Sequence, residues 1–107
     1  MPGDDKQALR REIAERIGGL NRDAVHLAPR EVMRQLHAIR ALSHNGGLAA
    51  VAALAGALED ELVLHGAGVA IHAYLDRMAD AIDVEPDAQP RFVDLALASI
   101  GAGWAFA

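Results

Sequence analysis

The chain has 107 residues and a formal net charge of −5, enough for one domain with a modest core. Hydrophobic residues make up 52% of it, with only one Trp, one Tyr and two Phe, so the composition argues against disorder and most of the apolar mass is aliphatic. The acidic balance disfavours a general DNA- or RNA-binding role, because phosphate neutralisation supplies most of that affinity. The absence of cysteine removes disulfides and thiolate metal sites and suits a reducing cytoplasm.

Ala and Leu dominate, and no stretch alternates Val, Ile and Thr, so the expected fold class is all-α. Asp4 or Asp5 is placed to cap a first helix running to about Ile17, with Leu9, Ile13 and Ile17 as its apolar stripe. Gly18-Gly19 is expected to end it, and Leu20 to Ala28 reads as a connector. Pro29 suits the first turn of a second helix, which Asn45-Gly46-Gly47 stops.

A third helix is predicted from about Leu48 to Leu64, its stripe formed by Leu48, Val51, Leu54, Leu58 and Leu62, with Glu59-Asp60-Glu61 read as a solvated patch. Gly66 and Gly68 mark a break. A fourth helix follows to about Asp83, with Ile71, Tyr74, Leu75, Met78 and Ile82 on one face. Asp83 to Pro90 reads as a polar loop, and a short last helix from Arg91 to Ile100 leads into a tail containing Trp104 and Phe106, read as packing residues. Together these elements predict residues 1–107 as a single domain, an antiparallel four-helix bundle with an additional short C-terminal helix. The longest apolar run, Leu48 to Leu58, is too short to span a bilayer. The polar N-terminus is unlike a signal peptide, and the expected location is cytoplasmic with no membrane partner.

Basic side chains cluster between Arg10 and Arg40 and acidic ones lie mostly after Glu59, which predicts one positive patch on an acidic body. Within that patch the second helix carries His37. At about 100° per residue, Val32, Leu36, Ile39, Leu42 and Ser43 fall on one side, and His37 falls on the other with Arg30, Arg34, Arg40, Ala41 and His44. His37 is therefore expected to be presented to solvent.

His37 is followed by Arg40 three positions on, Ala41 four positions on, the small Ser43, and then Gly47 at the helix–helix turn. Leu48, Val51, Leu54, Leu58 and Glu59 come next. This spacing, over roughly Pro29 to Glu59, resembles that of histidine-containing phosphotransfer (HPt) domains. Arg40 stands where the family typically has Lys, and Ala41 where it has Gly. The segment from Pro90 has no obvious counterpart.

The resemblance implies a phosphorelay carrier rather than an autonomous enzyme. His37 would accept a phosphoryl group from a receiver-domain aspartate and pass it to another receiver, and Arg40 would stabilise that group. Arg30, Met33, Arg34, Ala41 and His44 would face the partner, a response-regulator receiver domain or a hybrid histidine kinase. No intrinsic cofactor or metal is implied, since the Mg²⁺ belongs to the receiver.

Other readings stay open. His37 is otherwise an ordinary surface histidine on a degenerate interaction module that binds a signalling partner without carrying phosphate. His37 with His44, and His65 with His72, are each seven apart, which admits a metal- or haem-binding bundle, though seven-residue spacing converges less well than four. His72 lies near Asp76 and reads as a salt-bridged structural residue. No strand-associated Gly-rich phosphate loop is present, so ATP binding is not supported.

Overall fold

A computed structural model of the chain describes the backbone of residues 2–66 and 70–105 and the side chains of 5–66 and 70–101. Five α-helices account for most of it: α1 (Pro2–Asp23), α2 (Pro29–Asn45), α3 (Ala49–His65), α4 (Ile71–Ala81) and α5 (Gln89–Ala105), with 3₁₀ turns at Ala24–His26 and Pro86–Ala88. Among the described residues there is no strand, and no helix is long and apolar enough to cross a membrane.

The first helix does not stop at Gly18-Gly19. It runs six residues beyond Ile17, to Asp23. Each glycine inside a helix costs about 1 kcal/mol relative to alanine. Against that, Leu20 is fully buried and Ala24 nearly so. They continue the stripe of Ile13 and Ile17 at helical spacing, and a buried leucine alone contributes roughly 1.5–3 kcal/mol. Core burial offsets the local penalty, so the expected Leu20–Ala28 connector shrinks to a 3₁₀ turn and two residues.

Ala28 is extended (φ −63°, ψ 147°), as the residue before a proline must be, and Pro29 then opens α2 without forfeiting an intrahelical hydrogen bond. At the other end Gly46 N–H donates to Leu42 C=O (3.0 Å), and Leu48 N–H donates to Ser43 C=O (2.8 Å). Between them Gly47 adopts φ +78°, a conformation costly for any residue with a Cβ. Gly46 is needed for a different reason: a Cβ there would stand 2.0 Å from Leu9 Cδ2 of α1.

Each of the first four helices packs on the next, and α4 packs back on α1, so the four close a ring around one core. Ile13, Ile17 and Leu20 of α1, Leu36 and Ile39 of α2, Val51, Leu54 and Leu58 of α3, and Leu75 and Met78 of α4 are all buried there. The last helix lies against α3 and α4. It is not short: its 17 residues equal α2 and α3, and it starts at Gln89, inside the segment expected to be loop. Ala96 and Ile100 are buried and Phe92, Val93 and Leu97 half-buried, an apolar face that packs the helix on the core, and the buried Gln89 opens it. The shortest helix is α4, with 11 residues, which ends at Ala81 rather than Asp83. The side chain of Trp104, and Phe106 altogether, lie outside the described residues.

Candidate functional site

The outer edge of the α2–α3 pair carries the site. Val32, Leu36, Ile39 and Ser43 are the buried positions of α2, and that choice of face turns His37 and Arg40 outward. The His37 side chain is 54% exposed and that of Arg40 47%. They lie three residues apart, one turn along the same face.

The third member of the site comes from α3. Glu59 is buried, with only 11% of its side chain exposed. Its Oε1 lies 3.0 Å from His37 Nδ1 and 3.0 Å from Arg40 Nε. Arg40 Nη2 is in turn 3.3 Å from His37 Nδ1. The three polar groups thus converge in one cluster, and the stem of Arg40 reaches it by passing over Gly56, where an added Cβ would stand 3.7 Å from Arg40 Cδ.

The expected solvated patch at Glu59-Asp60-Glu61 is corrected by this arrangement. Asp60 is exposed, Glu61 is half-buried, and Glu59 faces α2. Ala55 and Leu58 beside Glu59 are buried on the same helix, so its carboxylate is drawn under the rim by its neighbours and satisfied there by two cationic or N–H partners. Helical spacing was the available signal: Glu59 follows Ala55 by four and Leu58 by one, at the border of the buried stripe.

The remaining basic residues do not all join His37. Arg34 forms a two-point pair with Glu31 on its own helix, Nη2 to Oε1 at 2.5 Å and Nε to Oε2 at 2.8 Å. Gln35 Nε2 donates to the same carboxylate at 3.1 Å. The Arg34 and Gln35 hydrogen bonds hold the Glu31 carboxyl down to about 2, and Glu31 raises the Arg34 pKa in return. Arg34 borders a recess with Arg16, Gly19 and Asp23 of α1, and its charge is partnered by Glu31. Arg30, Ala41 and His44 are exposed on the His37 face of α2. Met33 is half-buried in an apolar recess of about 140 Å³ at the end of the helices, with Leu27, Val32, Leu62 and Ile71.

One further surface residue escaped the sequence reading. Val63 is 76% exposed and follows Glu59 by one helical turn on α3.

The other histidines are dispersed. His72 is not salt-bridged to Asp76 as its spacing suggested. Its Nδ1 meets Asn21 Oδ1 of α1, and Asn21 Nδ2 donates to Asp76 Oδ1 at 2.9 Å, so the asparagine joins the two. His65 Nε2 lies 3.4 Å from Glu61 Oε2. Tyr74, buried near Glu61, has its pKa raised, first by burial and then by that negative charge. Among the described residues no group of three or more His, Asp or Glu is arranged to hold a metal ion.

The cluster has a definite chemical consequence. An imidazole nitrogen and a carboxylate oxygen 3.0 Å apart repel unless a proton lies between them. With Nδ1–H donating to Glu59, the neutral ring has its lone pair on Nε2, leaving a nucleophilic nitrogen on a half-exposed ring beside a guanidinium. Compared with protein-family models, curated proteins and solved structures, the chain finds no match.

Proposed function

We propose that the protein is a phosphorelay carrier of the HPt type, with His37 as its phosphoacceptor. The observation that carries this reading is the anchoring of His37 Nδ1 to the buried Glu59 while more than half of the His37 side chain stays exposed. A ring that donates Nδ1–H to Glu59 is in the tautomer that attacks a partner's phosphoryl group through Nε2. In the step, Nε2 bonds to phosphorus, the bond from phosphorus to the receiver's aspartyl oxygen breaks, and the carboxylate leaves with its electron pair. The reverse step, to a second receiver, needs only the same groups.

Arg40 supplies a cation one turn from the acceptor, where charge on the transferring group develops. Arg30, Ala41 and His44, with Met33 and Arg34 at the margins, form the surface offered to a receiver domain or a hybrid histidine kinase, and Mg²⁺ belongs to that partner. We read the ring of α1 to α4 as an antiparallel four-helix bundle with α5 as an addition, acting in the cytoplasm without a nucleic-acid or membrane partner.

A second reading, an interaction module that has lost phosphotransfer, draws on the neutralisation of Arg40 by Glu59. Incubation with a phosphorylated receiver separates the two. Acid-labile label on the wild type and none on His37→Gln is expected. Equal labelling of both removes His37 as the site, and partner binding that survives His37→Ala with no label on the wild type establishes the second reading.

A further inference from the structure

One imidazole nitrogen at this site has two claimants. Glu59 Oε1, 3.0 Å from His37 Nδ1, can bond that nitrogen only when it carries the proton. Arg40 Nη2, 3.3 Å from the same nitrogen, can bond it only when it is bare, because a guanidinium has donors and no acceptor. In a neutral ring the two bonds are mutually exclusive. The first leaves the lone pair on Nε2. The second moves the proton to Nε2 and removes the nucleophile from the exposed side.

We propose that Arg40 is a two-position gate on His37, opened by a tetrahedral oxyanion. In the closed position the guanidinium lies beside both Glu59 and the ring, within 3.0 Å of Oε1 and 3.3 Å of Nδ1, and competes for Nδ1. An oxyanion arriving at the exposed edge of the ring draws Arg40 outward, leaves Nδ1–H to Glu59 alone, and delivers the lone pair to Nε2. The proposal rests on the reading of His37 as phosphoacceptor for its purpose, while its mechanism rests on the three distances.

Three features of the site support such movement. The Arg40 side chain is 47% exposed, so it can swing toward solvent once its bond to Glu59 is released. Its stem lies over Gly56 without a Cβ beneath it. A single carboxylate oxygen is shared, since Oε1 is the atom nearest both His37 Nδ1 and Arg40 Nε, and losing one donor leaves the other the whole acceptor. The neighbouring charges point the same way. Asp60, exposed on α3, and Glu59 itself repel an anion, and Arg34 is committed to Glu31, so of the cations on this face Arg40, one turn from His37, is the one in contact with the ring.

The test reads tautomers directly. Long-range ¹H–¹⁵N correlation spectra of histidine-labelled protein, at about pH 8 where an ordinary imidazole is neutral, distinguish Nδ1–H from Nε2–H at His37. The wild type is expected to show both forms, and titration with inorganic phosphate to shift the ratio several-fold toward Nδ1–H. Arg40→Ala is expected to be Nδ1–H throughout and indifferent to phosphate, and Glu59→Ala to be mainly Nε2–H. Far-UV circular dichroism establishes that each variant remains folded. A wild-type ratio that ignores phosphate, or an Arg40→Ala ratio equal to that of the wild type, overturns the gate. No phosphotransfer enters the readout, so a responsive tautomer without acid-labile label refutes only the carrier reading, and label with an invariant tautomer refutes only the gate.

Discussion

Arg40 crosses α3 at Gly56, where a Cβ would stand 3.7 Å from Arg40 Cδ. That distance is ordinary van der Waals contact, so the glycine provides a shelf rather than a necessity. Gly56→Ala should keep the Arg40–Glu59 pair and raise stability by about 0.5–1 kcal/mol through helix propensity alone, measured by urea unfolding. Gly56→Leu should lift the arginine off Glu59. Its expected signature is a His37 tautomer ratio like that of Arg40→Ala, and an unchanged ratio would show that the shelf does not position Arg40.

Glu59 links both partners, and its two roles separate by variant. Its contacts are with side chains that are about half exposed, so Glu59→Ala should cost about 1 kcal/mol or less in stability. Its effect on labelling of His37 should be larger, on the order of tenfold in rate, the scale on which loss of a histidine's orienting partner acts. A rate unchanged from wild type in folded protein would show that Glu59 is only a counter-ion to Arg40.

How far the sequence foretells such features depends on whether the cause is local. The end of α2 at Asn45-Gly46-Gly47 was legible because Gly47 answers a backbone need, φ +78°. The same fact means that the turn alone accounts for that glycine, which therefore adds little to the family resemblance. The outward face of His37 was legible because α2 has a clear apolar stripe. The continuation of α1 through Gly18-Gly19 was not, since the burial of Leu20 is decided by helices distant in the chain. Nor was the role of Glu59. Helix α3 has little amphipathic contrast, so the spacing of Glu59 from Ala55 and Leu58 put it only at the border of the buried stripe and did not say that it faces α2. Arg34 could have been anticipated: Glu31 stands three residues before it, at the spacing of a helical ion pair.

The Glu31–Arg34 pair predicts a pH dependence with a definite sign. The Glu31 carboxyl lies at about 2 against its ordinary 4.5. A depressed carboxyl contributes stability that is present above its unfolded value and is lost as pH falls toward its folded one. The difference in urea midpoint between wild type and Glu31→Gln should therefore be constant from neutral pH down to about 4.5 and close as pH approaches 2. Both side chains are reached by solvent, so the difference should also shrink in high salt. A difference that grows on acidification would contradict the assignment.

Gln89 ties the start of α5 to the start of α3, and its removal should be the costlier change. Its side chain is buried. Oε1 accepts the backbone N–H of Ala50 at 3.0 Å, and Nε2 donates to the Val84 carbonyl at 3.3 Å. The Ala50 N–H belongs to the first turn of α3, where no intrahelical acceptor exists, and Leu48 at the cap has no side-chain acceptor to offer. Gln89→Ala strands that buried donor, which costs about 1–3 kcal/mol. Gln89→Glu keeps an acceptor at the helix N-terminus, where negative charge is favoured, but loses the donor to Val84 and buries a charge. It should therefore lie between wild type and alanine at low pH, where the carboxyl is neutral and can again donate, and fall toward the alanine variant as pH rises. Thermal unfolding of the two variants between about pH 4 and pH 8, spanning the ordinary glutamate range, checks the order. Equal stability of wild type and Gln89→Ala would mean that water serves Ala50 as well as the glutamine does.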